Sequence, residues 1–166
     1  MANQDQEKTV ETIKIKQPNS RHCFICGIEN PCGLKMSFYE VEPGHAVAEY
    51  TVSERYQSYP GIVHGGIVAA MLDETLGRAA MVGDHNHLMV TAKVEVRYRK
   101  PVPVGIPLQI HGRLGRQRGK LIFASAELRL PDGTLAAEAE GLLADLPDQI
   151  ADQEQLEKLG WKVYPD

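Results

Sequence analysis

The part of this sequence best suited to catalysis begins with two glycines. An apolar segment and then a carboxylate follow them. His64, Gly65 and Gly66 precede the apolar residues 67–72, and Asp73 comes directly after them. Glycines that open a helix leave main-chain N–H groups uncovered, and the positive end of the helix favours negative charge there. A carboxylate among apolar neighbours is costly to bury without a partner or a task. Together, an oxyanion donor and a carboxylate indicate cleavage of an activated acyl bond.

The spacing of these groups predicts two subunits. Gly65 and Asp73 lie eight residues apart, and on one helix this spacing corresponds to roughly 12 Å of axial rise. A single carbonyl group cannot lie about 3 Å from both. If both groups act on one substrate, Asp73 comes from a second copy of the helix, running antiparallel to the first. The sequence therefore predicts a two-fold homodimer with shared active sites.

The composition is that of an ordinary globular protein. The 166 residues are 43% apolar and 24% charged, with a formal net charge of −4. This length suits one domain with a sizeable core, and the charge gives no overall attraction to nucleic acid or a membrane. Residues 1–17 lack the apolar segment of a signal peptide. Three cysteines do not make a secreted disulfide framework, so the expected location is the cytoplasm.

Apolar periodicity predicts one long helix, from the two glycines to about residue 82, and about six strands. The predicted strands are 34–42, 46–52, 90–98, 108–114, 121–130 and 134–146. Alternation in the strand at 90–98 places Thr91 on the same face as Lys93 and Arg97. This face is expected to be exposed to solvent. An antiparallel sheet curved around the helix buries it on most sides, which is an α+β fold.

The domain organisation follows from the same pattern. Residues 1–20 are polar and weakly patterned, which predicts a frayed lead-in. Residues 21–146 form the folded domain. Residues 147–166 are expected to be a tail or to hold a short helix at 149–159.

Three segments, in this order, resemble the hot-dog-fold acyl-CoA thioesterases, particularly the PaaI-like group. The strongest is HGGIVAAMLDETLG at 64–77, supported by VEVRYRKPVPVG at 94–105 and CFICGIENPCGLKMSF at 23–38. The resemblance covers residues 22–146 and implies a curved antiparallel sheet of about six strands around one long central helix. It implies hydrolysis of an acyl-CoA to a free acid and CoA by a homodimer or homotetramer, with no cofactor apart from the CoA of the substrate.

The resemblance also implies roles for individual residues. The N–H of Gly65 would polarise the thioester carbonyl, and Asp73 of the other subunit would be the nucleophile or the general base. His64 would shape the turn and contact the acyl group or the thioester. Gln57 resembles an Asn or Gln that positions the carbonyl or the water, although some relatives carry it one residue closer to the His. Thr91 matches a Ser or Thr that assists the carboxylate or the water.

The same residues also fit structural roles. Asp73 fits a buried side chain that bonds a loop, the two glycines fit a tight turn into the helix, and His64 fits a structural histidine. Glu74 lies about 100° around the helix from Asp73. The two carboxylates therefore cannot face one carbonyl, and Glu74 is expected to be structural or at the pocket rim.

Basic residues are concentrated in and after the strand at 90–98, although the protein is acidic. These residues fit a solvated face of the sheet. They also fit a binding site for the phosphates of coenzyme A, which Arg and Lys side chains would hold through charge-assisted hydrogen bonds. Arg99 and Lys100 are the foremost candidates, with Arg97 beside them and Gly66 at the helix start.

The cysteines Cys23, Cys26 and Cys32 suggest a second kind of chemistry. The pair Cys-x-x-Cys is a zinc half-site, but a second pair does not follow. A fourth ligand would have to be His22, His45 or a residue of a partner chain. The sequence therefore favours a compact, structural loop with reduced cysteines that covers one end of the sheet and binds no metal.

Two other functions use the same residues. A hydratase or dehydratase of enoyl or hydroxyacyl thioesters would use His64 as a base beside a carboxylate, although the His-Phe-Pro stretch of the dehydratases is missing from the sequence. A non-catalytic acyl-CoA-binding module would use the same pocket. The identity of the acyl group does not follow from the pattern.

Overall fold

A computed structural model describes residues 14–146 and 153–166, and in it a seven-stranded antiparallel sheet packs on a long helix. The strands are β1 (Ile15–Lys16), β2 (Tyr39–Glu42), β3 (His45–Thr51), β4 (Met89–Tyr98), β5 (Pro107–Arg118), β6 (Leu121–Arg129) and β7 (Leu135–Asp145), and the helices are α1 (Gly65–Ala80) and α2 (Gln153–Leu159). The order across the sheet is β1-β2-β3-β5-β6-β7-β4. The α+β hot-dog arrangement is therefore confirmed, with seven strands where about six are predicted.

The inner face of α1 forms the centre of the core because its apolar residues recur at helical spacing. Met71, Leu72 and Leu76 are fully buried there against strands β3 to β7. Two glycines of the sheet allow this close approach. A Cβ at Gly112 would lie 2.5 Å from the Thr75 carbonyl oxygen, and one at Gly141 would lie 2.4 Å from the Leu76 side chain. The sheet therefore needs glycine where the helix crosses it.

The frayed lead-in predicted for residues 1–20 is wrong from residue 15 onward, while residues 1–13 lie outside the described part of the chain. β1 pairs with β2, and Gln17 and Asn19 are buried. The amide of Asn19 donates to the carbonyls of Cys26 and Met36 at 2.7 and 2.8 Å. Polar side chains in this segment form hydrogen bonds with the main chain of neighbouring loops, so its polarity does not indicate disorder.

The strand predicted at 34–42 is regular only as β2. Its alternation is correct, since Leu34, Met36 and Phe38 are buried and Lys35 is exposed. Lys35, however, has a left-handed backbone, with φ of +57°. The N–H groups of Leu34 and Met36 bond to carbonyls in the cysteine-containing loop instead of to a neighbouring strand. Local backbone geometry therefore overrides a correct apolar pattern.

β4 lies at the edge of the sheet. It pairs with β7, and within the described ranges its other edge has no strand partner. Val94 and Tyr98 remain 40% and 52% exposed. A ten-residue edge strand with exposed apolar side chains is normally covered by another surface. Neither described helix is long and apolar enough to cross a membrane.

Candidate active site

The start of α1 leaves one main-chain donor available. His64 is the N-cap, and its Nδ1 accepts the N–H of Gly66 at 2.9 Å. The His64 carbonyl accepts the N–H groups of Ile67 and Val68. Among the described residues, nothing accepts the N–H of Gly65. This N–H, at the positive end of a helix of 16 residues, can therefore donate to a ligand oxygen.

Tyr98 fixes this end of the helix to the sheet. Its hydroxyl donates to the Gly65 carbonyl at 2.8 Å, and its ring lies 3.6 Å from the position that a Cβ of Gly65 would take. Tyr98 is not among the site residues that the sequence predicts. The signal was available, because alternation in β4 places Tyr98 on the face opposite Arg97, toward the helix.

Gln57 and Gly66 are already engaged near the helix start. The Oε1 of Gln57 accepts the N–H of Gly61 at 3.0 Å, and its backbone bridges to Val63. Gln57 thus closes the loop that leads to His64, and within the described part of the chain its amide NH₂ has no acceptor. The Gly66 N–H is taken by the His64 ring, so in this arrangement Gly66 does not offer a second donor.

A cleft of about 420 Å³ opens beside the helix start and is called the Gly65 cleft below. Gly65, Tyr98, Arg99 and Lys100 line it together with Tyr59, Ile62, Val68 and Val102. Two of the three cationic candidates thus line the same cleft as Gly65, whose N–H is free. Arg97 does not line this cleft. Arg99 and Arg97 both pair with Glu138, at 2.5 and 3.8 Å.

Asp73 lies two turns further along α1 and is half-buried. Thr91 donates its hydroxyl to Asp73 Oδ1 at 2.7 Å. Thr91 is exposed, as expected, but the prediction that it shares a face with Lys93 is wrong, because the register of β4 shifts between these two residues. Thr91 pairs with Leu143 and Lys93 with Leu142, so β4 holds one extra residue. The extra residue turns Thr91 to the inner face, where Leu143 is buried.

Asp73 and Thr91 line a second cleft of about 410 Å³, called the Asp73 cleft below. Its wall also includes Cys23, Cys26 and Glu74. Glu74 is both a rim residue and a structural one, as expected, since Arg78 binds it with Nη2 at 2.8 Å. The Asp73 cleft and the Gly65 cleft have no lining residue in common.

The cysteines divide into a pair and a single residue. Cys23 and Cys26 lie together with Glu74, whereas Cys32 is exposed. The hydrogen bond between the two sulfurs is the main cause that raises the pKa of Cys23, and burial and the charge of Glu74 raise it further. The same bond lowers the pKa of Cys26 to about 7, although burial opposes it.

The histidines considered as further ligands lie elsewhere. His22 is 69% exposed and is 3.9 Å from Glu29. His45 contacts Glu42 at 2.9 Å and His111 at 3.2 Å. Neither belongs to the cluster of Cys23, Cys26 and Glu74, so of the possible further ligands named from the sequence only a residue of a partner chain is left.

Comparisons with known proteins identify the family. The sequence model of the thioesterase superfamily matches residues 60–137. A protein of Saccharolobus solfataricus named "Putative esterase SSO2140" is 31% identical over 108 residues, covering 65% of this chain and 76% of that protein. Acyl-coenzyme A thioesterase THEM4 of Bos taurus is 28% identical over 141 residues, covering 84% of this chain and 56% of that protein. The chain thus spans a little over half the length of this THEM4 relative.

Solved structures agree with these sequence matches. Protein RHA08564, a thioesterase superfamily protein, superposes with a TM-score of 0.69 at 32% identity, covering 75% of this chain and 61% of that one. The PaaI protein of the E. coli phenylacetic acid degradation operon shares the fold, with a TM-score of 0.62 at 17% identity over 69% of this chain and 81% of that one. So does smu.793 of Streptococcus mutans UA159 bound to acetyl CoA, with a TM-score of 0.61 at 20% identity over 67% of this chain and 88% of that one.

The family model matches the segment that contains helix α1, and the fold agrees with that of thioesterase superfamily structures. This chain therefore belongs to the thioesterase superfamily, as the resemblance of the three sequence segments implies.

Proposed function

We propose that this protein hydrolyses acyl-CoA thioesters at a site shared between two subunits. The Gly65 N–H of one subunit binds the thioester oxygen, and Asp73 of the other subunit is the nucleophile or activates the water. The observation that carries the proposal is the separation of the free N–H and the Thr91-bound carboxylate into two clefts of one chain. A two-fold partner running antiparallel brings one group of each kind together.

The unpaired edge of β4 supports such a dimer. A second β4 running antiparallel along this edge would extend the sheet and cover the exposed side chains of Val94 and Tyr98. The outer face of α1 is also open, since a Cβ added at Gly77 would meet no described atom within 4 Å. Small residues on a helix allow close approach of a second helix. Light scattering in solution would distinguish the dimer from a homotetramer.

The chemistry follows from the charges that develop during hydrolysis. Water adds to the thioester carbon, and the negative charge that forms on the carbonyl oxygen is stabilised by the Gly65 N–H at the positive end of α1. As a general base, Asp73 takes the proton of the attacking water, the carbon–sulfur bond breaks, and the CoA thiolate receives that proton and leaves as the thiol. As a nucleophile, Asp73 displaces the CoA thiolate and forms an acyl-aspartate anhydride; water hydrolyses the anhydride to the free acid, restores the carboxylate and supplies the proton of the thiol.

We expect Thr91→Val to lower kcat at least about tenfold, since a hydrogen bond to a charged group contributes roughly 1.5–3 kcal/mol. The hydroxyl of Thr91 holds Oδ1 of Asp73 and leaves Oδ2 for the substrate or the water. Valine keeps the shape but cannot donate. Thr91→Ser, the matched control, should retain most of the turnover, measured as thiol release at saturating substrate. Equal loss in both variants would contradict this positioning role.

Arg99 and Lys100 form the proposed seat for the CoA phosphates. We expect the double variant Arg99→Gln/Lys100→Gln to raise KM for an acyl-CoA about tenfold or more, because charge-assisted bonds to phosphate are lost. The corresponding N-acetylcysteamine thioester has no phosphates, so its kinetics should barely change. Arg97→Gln is the matched control, since Arg97 lies outside the cleft. An equal KM increase for both substrates would refute a phosphate contact.

Assays of thiol release across short-chain, long-chain and aryl CoA esters test the function itself. Stoichiometric release of free acid and CoA is expected from at least one class. Tight binding of a CoA ester without thiol release would indicate the acyl-CoA-binding module instead. Hydration of crotonyl-CoA would indicate the hydratase, which is disfavoured because the Nδ1 of its base, His64, already accepts the Gly66 N–H.

The proposed partners are an acyl-CoA and a second copy of the chain. The THEM4 relatives are acyl-coenzyme A thioesterases by name, and smu.793 is bound to acetyl CoA, which supports this substrate class. The three cysteines are free thiols. Free thiols suit a reducing compartment, so the cytoplasm is the proposed location.

A further inference from the structure

We propose that Cys23, Cys26 and Glu74 form a binding site for a zinc-class divalent cation. Two sulfur atoms and a carboxylate oxygen lie within 4.8 Å of one another. They come from a loop and from α1, so the sequence shows the cysteine pair but not the third ligand. The proposal is independent of hydrolysis, and its test is the binding of metal.

The loop that carries the two cysteines forms a tight turn of the kind that binds metal ions through a Cys-x-x-Cys pair. The sulfur of Cys23 accepts the N–H groups of Ile25 at 3.3 Å and Cys26 at 3.5 Å. The Gly27 N–H donates to the Cys23 carbonyl at 2.9 Å, and a Cβ at Gly27 would lie 2.2 Å from that oxygen. Main-chain donors aimed at the Cys23 sulfur favour negative charge on it, although the contact with Cys26, burial and Glu74 raise its pKa. The thiolate therefore forms when a bound ion displaces the proton.

Glu74 is already oriented as the third ligand. Its Oε1 is bound by Arg78, through Nε at 2.9 Å and Nη2 at 2.8 Å. Its Oε2 lies 3.9 Å from the Cys23 sulfur. With metal–sulfur bonds of about 2.3 Å and metal–oxygen bonds of about 2.0–2.2 Å, a tetrahedral ion separates its ligands by roughly 3.5–3.8 Å. A small closure of the cluster therefore accommodates the ion.

The charges of the three ligands, of the ion and of Arg78, which binds Glu74, sum to zero when the ion is bound. Two thiolates and one carboxylate contribute three negative charges, the buried Arg78 contributes one positive charge, and a divalent ion contributes two. Binding releases the two thiol protons to solvent. Thiolate ligands favour zinc over magnesium or calcium. The cluster lines the Asp73 cleft, so a water molecule can fill the fourth position.

Cobalt(II) titration of the reduced 166-residue chain tests the site. We expect one cobalt per chain, sulfur-to-cobalt charge-transfer absorption in the near ultraviolet, and displacement of the cobalt by zinc. Zinc should also raise the thermal midpoint, because an ion that binds only the folded state stabilises it. Absence of the charge-transfer band, or a Cys23–Cys26 disulfide that forms in place of metal binding, would overturn the proposal.

Variants assign the ligands. Cys23→Ser and Cys26→Ser should weaken binding about 100-fold or more, and Glu74→Gln should weaken it about tenfold while retaining the charge-transfer band. Cys32→Ser is the matched control, since Cys32 is exposed, and it should bind as the wild type does. If buried Cys26→Ser fails to fold, the half-buried Cys23 and Glu74 decide the question. Unchanged binding in both Cys23→Ser and Glu74→Gln would overturn the assignment.

Discussion

Replacing Asp73 with asparagine is expected to lower kcat for the best acyl-CoA substrate by about 10²–10³-fold or more, with little change in KM. Asparagine has the same shape, and its Oδ1 can still accept the hydroxyl of Thr91, now 2.7 Å from Asp73 Oδ1. The fold and the cleft should therefore persist. The variant loses the negative charge and the basicity, and with them the ability to attack the thioester or to take a proton from water.

Steady-state thiol release and equilibrium binding of a CoA ester measure the two parts of this prediction separately. Asp84→Asn is a suitable control, because Asp84 follows α1 in a turn and lines neither the Gly65 cleft nor the Asp73 cleft. It should keep wild-type turnover. Full activity in Asp73→Asn would show that another group performs the chemistry. Loss of binding together with turnover would instead indicate a structural role for Asp73.

The sequence predicts those parts of the fold that follow from local periodicity. Helix α1 is predicted because its apolar residues recur at helical spacing after two glycines, and β4 to β7 are predicted from their alternation and intervening turns. The strand at 34–42 is predicted too long. Its burial pattern is correct, but the left-handed backbone of Lys35 and the bonds of Leu34 and Met36 to the cysteine-containing loop cannot be predicted from alternation.

The candidate site is predicted less completely, because its geometry depends on contacts between distant segments. Thr91 is assigned to the wrong face, since a single extra residue in β4 reverses the alternation at that point. The contact of Cys23 with Glu74 joins residues 51 positions apart, which spacing rules for metal ligands do not detect. The separation of Gly65 from Asp73 is the exception, because it follows from the rise of one helix and needs no contact between distant segments.

Combining two inactive variants in one dimer is expected to restore activity, and this result would distinguish a shared site from a site within one chain. Gly65→Pro removes the proposed oxyanion donor, and the ring carbon on the proline nitrogen takes the place of the amide hydrogen. Proline suits the first position of a helix, and His64 has φ of −60° and ψ of 133°, a conformation that precedes proline without strain. We expect kcat to fall about 10²–10³-fold, whereas Gly65→Ala, which keeps the N–H, should retain most activity.

A dimer of one Gly65→Pro chain and one Asp73→Asn chain contains one intact pair of groups and one pair in which both are changed. If the site is shared, the mixed dimer should regain about half the wild-type turnover, since one of two sites is complete. Co-expression with two affinity tags and two-step purification isolates the mixed dimer, and dimers of each variant purified in the same way are the controls. If Gly65 and Asp73 of the same chain act together, each chain lacks one group, and the mixed dimer stays as inactive as its parents. Since Asp73 lies two helical turns from Gly65, we expect the recovery.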